Sequence, residues 1–340
     1  MDNKTDSVDN NTEQNVNKFA EMPALEFLEY VTTGKNLASE MDDRQLEDMA
    51  HEVRVRYDID KDTMADWFGI MEKGLNLAAM KRESKNYPYA EGGGWPAPSN
   101  LKYPLVTSAA LQYNARAYPA IVPSGNPVQC KVQGEDPEGL KAARGQRVAR
   151  YISHQLKTKS HRWETDTDRL LFVGPIVGTM FRKWWFDPAT QSMKTKLCAP
   201  GKVILNNNIS AIQEAPAITE ELELYGFEIE TRRRTGWFTE VELMGENTNE
   251  KLPIELIEQI CRFDLDDDGY PEPYVVTMER NGNTIVRVAA AFDLEDARVS
   301  EEGQILHIEP STFFIDYHFL PSFDGTFMGH GLGALLNDIS

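Results

Sequence analysis

The sequence predicts an α+β protein, a helical N-terminal part followed by a β-rich module, and three observations carry that expectation. Apolar residues recur at helical spacing between residues 23 and 80. Past Gly174 the chain changes to runs rich in β-branched and aromatic residues. Between two later runs of that kind stands Asn281-Gly282, a strong hairpin signal. At 340 residues, 41% hydrophobic and 26% charged, the chain can bury a sizeable core in two or three compact units. No stretch approaches the ~18 consecutive apolar residues of a membrane-spanning helix, which excludes a transmembrane protein. The first residues carry neither a basic region nor an apolar run, so no signal peptide is read and a cytoplasmic setting is expected. Three widely spaced cysteines, Cys130, Cys198 and Cys261, fit that setting and argue against a disulfide scaffold or a zinc site.

Residues 1–20 are Asp, Asn, Thr, Gln and Lys with almost nothing to bury, and read as a disordered tail. In 23–57, Leu25, Leu28, Val31, Leu46, Met49, Ala50, Val53 and Tyr57 mark helix, with Asp42 or Asp43 as the N-cap. A second helix is expected over 60–80, capped by Asp60 and burying Trp67, Ile70, Met71, Leu75, Leu77 and Ala78. The Pro- and Gly-dense stretch 87–100 reads as an ordered loop. Its triple glycine lacks the GxxxxGK[ST] context of a phosphate cradle. Helices are expected over 105–118, 137–157 and 161–173, and strands over 176–186, 193–197 and 203–205, with 187–190 as a turn. One further helix is expected over 217–234, where Glu220, Glu221 and Glu223 followed by Arg232, Arg233 and Arg234 complement a helix dipole and Gly236 closes it. Strands over 255–264, 273–279 and 284–292 complete a β-rich module of 238–320. The expected organisation is a tail (1–20), a helical and mixed region (21–210), a helix segment (211–237), the β-rich module (238–320) and the start of a second helix (321–340).

Two clusters could carry chemistry. Asp264-Leu-Asp-Asp-Asp-Gly269 places carboxylates at positions 1, 3 and 5 and glycine at position 6 of a calcium loop, which makes Asp264, Asp266 and Asp268 candidate calcium ligands. Position 12 is Val275 rather than the bidentate Glu, so the stretch Asp264, Asp266, Asp267, Asp268 and Gly269 is expected to be a hydrophilic hairpin tip. The same carboxylates with Glu272 could serve a metal-dependent hydrolase, a reading weakened by the lack of an activating His or Lys nearby in sequence. The second cluster is Lys141, Arg144, Arg147 and Arg150 on the helix expected over 137–157, either a solvated face or an intersubunit or DNA-facing basic patch. The six histidines show no HExxH, and there is no GxSxG. No catalytic, cofactor or metal-centre residues are therefore assigned.

Net charge is −19, which at first sight argues against a nucleic-acid partner. The distribution is uneven: residues 101–200 carry 15 Lys/Arg against 7 Asp/Glu, a local +8, so the other 240 residues carry −27.

Several stretches, in order, resemble one family. They are Ser99-Asn-Leu-Lys-Tyr-Pro-Leu105 leading into a helix that ends in "ARAYPA" at 115–120, Asp168-Arg-Leu-Leu171 with Pro175-Ile-Val-Gly178, "DLDDDGYPEPY" at 264–274, and 319–336 with its glycines at 329, 331 and 333. Together, over residues 42–338, they look like the portal proteins of tailed bacteriophages, especially the large head-to-tail connector subunits of short-tailed phages. The resemblance implies a ring of about twelve copies at one capsid vertex. Viral double-stranded DNA would pass through it, without sequence recognition, during genome packaging and ejection. Implied partners are other copies of the chain, the terminase large subunit, head–tail adaptors and capsid or scaffolding proteins. The implied location is the virion, and host cytoplasm during assembly, with no membrane partner. By the same resemblance, the part up to residue 210 is wing-like, 211–237 stem-like and 238–320 a clip that docks terminase. Family members continue for hundreds of residues more, so the chain is expected to be an N-terminal portion of a longer subunit or a split one. In a closed ring the acidic surplus acquires a role: an acidic bore lets a polyanion slide, while opposite signs join neighbouring subunits. A monomeric interaction module is the remaining alternative.

Overall fold

The computed structural model describes residues 17–81, 103–160, 162–187, 191–244 and 252–335. The loop expected over 87–100, His161, the turn residues 188–190 and the last five residues lie outside that set. The chain divides into two compact units, each assembled from two sequence segments: residues 1–55 with 221–311, and 56–220 with 312–340. An α+β fold, helical first and sheet-rich later, is what the chain adopts. Among the described residues no helix is long and apolar enough to cross a membrane.

In the first unit, α1 (Ala24–Thr33) buries Phe27, Leu28 and Val31, three side chains that fall on one face at helical spacing. Phe19 is fully buried and meets the Phe27 ring edge-on at 6.1 Å. The described end of the expected tail is thus part of the core, because Phe19 has an apolar face to cover. Helix α2 (Asp43–Thr63) begins at a reciprocal cap: Gln45 N–H donates to Asp42 Oδ1 at 2.7 Å and Asp42 N–H to Gln45 Oε1 at 3.2 Å. Between these helices the Asn36 side chain donates to Val286 O at 3.0 Å and accepts from Val288 N–H at 3.0 Å, using both ends of its amide on one strand.

That strand belongs to an antiparallel set: β5 (Ile254–Phe263) pairs with β6 (Glu272–Glu279), and β6 with β7 (Ile285–Ala290). Every residue of β6 is buried, as a central strand requires. The end of β4 (Ile218–Leu224), helix α7 (Gly226–Arg234) and the segment after it contribute Leu224, Ile229, Phe238 and Leu243 to a core completed by Ile254, Leu256 and Val286. Arg54 of α2 clasps the β6–β7 turn, donating to Arg280 O at 2.8 Å, to Asn283 Oδ1 at 3.1 Å and to Gly282 O. The short pair β8 (Ala297–Val299) and β9 (Ile305–Ile308) completes the unit.

The second unit is led by α3 (Ala65–Ala78), α4 (Leu105–Ile121), α5 (Leu140–His154), a π-turn at Gln155–Lys159 and α6 (Trp163–Val177). A three-stranded antiparallel sheet follows, in the order β10 (Phe314–His318), β1 (Thr179–Asp187), β2 (Ser192–Leu197). In the same unit β3 (Val203–Leu205) pairs with the first residues of β4. Val106, Ala110, Leu170, Ile176, Val177 and Met180 form the core between α4, α6 and β1. The last described element is α8 (Leu332–Leu335), where Gly333 lies directly on Gly74 of α3: a Cβ on Gly333 would collide with the Gly74 Cα, and one on Gly74 would stand 2.9 Å from Ile176 O.

Several elements differ from the sequence expectation. Asp60 caps nothing; it lies inside α2, fully buried, and the helix breaks at Met64 instead. The strand expected from residue 176 starts at Thr179, because α6 continues through Pro175 in its last turn and ends only at Gly178, whose φ of 96° stops it. The stem-like helix expected over 217–234 is two elements. Ile218–Leu224 is β4, and only Gly226–Arg234 is helical, nine residues long. The physical reason is that Glu220 is buried against Lys183 and Lys196, which are contributed by β1 and β2. At the far end the reading is right: Arg232, Arg233 and Arg234 occupy the last turn of α7 and Gly236 follows with φ 71°.

Candidate functional site

The β5–β6 hairpin closes where Phe263 faces Glu272, so residues 264–271 form the connecting loop and Glu272 is the first residue of the returning strand. The loop turns through two left-handed residues, Asp267 with φ 61° and Gly269 with φ 90°. Gly269 N–H donates to Asp264 Oδ2 at 2.9 Å, Asp268 N–H to Asp266 Oδ1 at 3.4 Å and Tyr270 N–H to Asp268 Oδ1 at 2.7 Å. Leu265 is fully buried and anchors the loop. Asn17 holds it from outside, donating to Leu265 O at 2.9 Å and to Asp267 Oδ2 at 3.1 Å.

This folding gathers four carboxylates. One oxygen from each of Asp264, Asp266, Asp268 and Glu272 lies within 4.8 Å of the others. Asp266 is 7% exposed and Glu272 0%, whereas Asp267, Asp268 and Gly269 face solvent. The hydrophilic hairpin tip expected from sequence is therefore only its outer half; the inner half is a buried acidic cluster. Glu272 Oε2 accepts from Tyr274 O–H at 3.2 Å and from Leu265 N–H at 3.4 Å, while Glu272 Oε1 and Asp264 Oδ1 are buried with no hydrogen-bond partner.

The electrostatics follow from that placement. Burial, reinforced by the Glu272-facing charge of Asp266, pushes the Glu272 carboxyl up to about 8, although the Leu265 N–H pulls the other way. Burial and then the Asp268 charge push Asp266 up to about 6. Tyr274 is raised as well, first by burial and then by Glu272. Four converging oxygens of this kind are hard donors suited to a divalent cation such as calcium, magnesium or manganese.

The sequence singled out the three aspartates for calcium but joined Glu272 to them only in the hydrolase reading. A usable signal was present: Glu272 is position 9 of the same register, which often supplies a ligand. What the sequence could not show is that a strand-opening residue turns its carboxylate back under the loop.

The basic cluster is on α5, and Lys141, Arg144, Arg147 and Arg150 are all exposed. At about 100° per residue their spacing of three spreads them over about 180° of the helix, on the side opposite Ala149 and Ser153. Those two are the only buried residues of α5. Leu140, Val148 and Tyr151 share the outward arc at 66%, 43% and 64% exposure, so the solvent-facing side is mixed apolar and cationic.

Three of the stretches that carry the family resemblance meet in the second unit. Asn114 Nδ2 of α4 donates to Asp168 Oδ1 of α6 at 2.9 Å, the Tyr113 and Phe319 rings meet edge-on at 5.4 Å, and Phe319 N–H donates to Gly178 O at 2.8 Å. The fourth, 264–274, is the acidic hairpin of the first unit. No protein-family model matches this chain, and no curated protein matches it.

Proposed function

We propose that the chain is a subunit of a portal-type ring, the structural channel through which viral double-stranded DNA is packaged and ejected. The observation that carries the reading is the ordered set of portal-like stretches, three of which pack on one another in the second unit. In this reading the subunit is not an enzyme and binds no catalytic cofactor. Its first partner is another copy of itself, in a ring of about twelve. Terminase, head–tail adaptors and capsid or scaffolding proteins would dock on the assembled ring.

The outward arc of α5 supports a protein contact. Tyr and Arg, both exposed on this arc, are enriched at protein interfaces, and charge is polarised along the chain, +8 over residues 101–200 against −27 elsewhere. A neighbour presenting acidic surface would cover both kinds of side chain at once. Negative-stain imaging and native mass spectrometry of the purified full chain test the proposal: closed rings are expected. A chain that stays monomeric at all concentrations would overturn it in favour of an interaction module. The variant carrying Lys141→Glu, Arg144→Glu, Arg147→Glu and Arg150→Glu is expected to keep its melting temperature and lose the rings, because all four side chains are exposed.

A further inference from the structure

We propose that the 264–272 hairpin is a calcium site, in which Asp264, Asp266, Asp268 and the buried Glu272 each give one carboxylate oxygen to a single ion. The inference is independent of the ring proposal and holds or fails without it.

Two separate observations point to a cation. The first is convergence: one oxygen of each of the four groups lies within 4.8 Å of the others. Calcium holds its ligands at roughly 2.4 Å, so two oxygens on opposite sides of it stand about 4.8 Å apart. Magnesium, with ligands near ~2.1 Å, asks for a tighter set and near-ideal octahedral geometry. The second is Glu272 itself. It is 0% exposed, its Oε1 has no hydrogen-bond partner, and its nearest charged neighbour in the cluster is another carboxylate. A buried carboxylate is ordinarily answered by a cationic side chain or by several donors. Here the protein supplies one hydroxyl and one backbone N–H, both to Oε2, and leaves Oε1 buried without a partner. A divalent cation satisfies that oxygen and the unpartnered Asp264 Oδ1 together.

The surroundings suit such an ion. All four donors are hard oxygens, which favours calcium over zinc or copper. Asp268 is exposed and Asp264 half-buried, so the ion has a route in from solvent while Asp266 and Glu272 form the floor. The loop is framed by strands, not helices, and its last ligand comes from the first residue of β6 rather than from a twelfth loop position. Binding would tie β6 to the loop and so fix the hairpin as a rigid projection.

The test is calorimetric titration of the chelator-stripped full chain with calcium chloride, and in parallel with magnesium chloride, at constant pH. One calcium per chain is expected, with magnesium bound at least roughly ten-fold more weakly, as a flexible cluster of calcium's dimensions requires. Glu272→Gln and Asp266→Asn keep the shape and remove one charge each, and should weaken calcium roughly ten-fold or more. Asp268→Asn, at an exposed position, does the same without risk to folding, and circular dichroism checks the fold of all three. No saturable heat at millimolar calcium, calcium binding that is unchanged in Glu272→Gln and Asp268→Asn, or magnesium binding as tight as calcium would each overturn the assignment.

Discussion

In the second unit Glu220 is 1% exposed and lies between two ammonium groups, Lys183 Nζ at 2.8 Å and Lys196 Nζ at 2.7 Å. In the first unit Glu272 is 0% exposed and lies among Asp264, Asp266 and Asp268. The two carboxylates are equally hidden from water, on strands of similar character, and their surroundings have opposite sign. Glu220 is answered by the chain itself, so its burial is structural: it joins β4 to β1 and β2. Its charge also acts on Cys198, whose thiol is pushed up to about 12 by burial and then by Glu220, which leaves that cysteine inert. Glu272 is answered only in part, by Tyr274 and Leu265, and the remainder must come from a proton or from an ion. Glu220 is a buried acid that the fold compensates, and Glu272 is one that it leaves partly uncompensated beside three further carboxylates.

The contrast breaks first at Glu220. Glu220→Gln removes the anion that both lysines face, and a buried pair broken on one side costs about 3 kcal/mol. Urea unfolding should show the unfolding free energy fall by that amount, and the midpoint by that amount divided by an unchanged slope; an unchanged midpoint would mean that the two ion pairs contribute nothing.

Asp60 provides the next comparison. It is fully buried in α2, neither carboxylate oxygen has a hydrogen-bond partner of normal geometry, and the nearby Arg56 charge and Asn206 side chain offset only part of the burial. Its pKa is raised from 3.8 to about 6, chiefly by burial. The folded state thus binds its proton more tightly than the unfolded chain, so its favourable contribution is complete below the unfolded value and is lost as pH rises through about 6. Asp60→Asn should stabilise the protein by about 2 kcal/mol above pH ~6.5, with the gain vanishing near pH ~4, in unfolding curves across that range.

Glu272→Gln sharpens the contrast with the smallest change. In chelator the substitution relieves like-charge crowding and should be neutral or raise the stability by up to about 1 kcal/mol, the reverse of Glu220→Gln. In calcium the wild-type midpoint should rise and the variant's should not. A loss of stability in chelator as large as that of Glu220→Gln would show Glu272 to be structural as well.

Much of the fold was legible locally. The starts of α1 and α4, the Asp42 cap, β2, β3, the β5–β6–β7 strands and the glycine after α7 all follow from spacing, capping and turn chemistry, which act within a few residues. The misreadings share one cause. The run of Glu at 220–223 before Arg at 232–234 satisfies a helix dipole as well as it satisfies anything local, and the lysines that make Glu220 a buried strand residue lie 37 and 24 positions away. Asp60 looks like a cap for the same reason, since its burial depends on what packs around α2.

The sequence by itself determined the alternation of helical and extended stretches, the asymmetric charge and the DxDxDG loop, because these reside in neighbouring residues. Only the tertiary structure decided which carboxylates lose their water and what meets them there. Desolvation and Coulomb attraction depend on distance in space: Glu220 meets lysines 37 and 24 positions away only when the strands pair, and Glu272, a near neighbour of the three aspartates in sequence, joins them in a buried cluster only because the hairpin folds back and is covered.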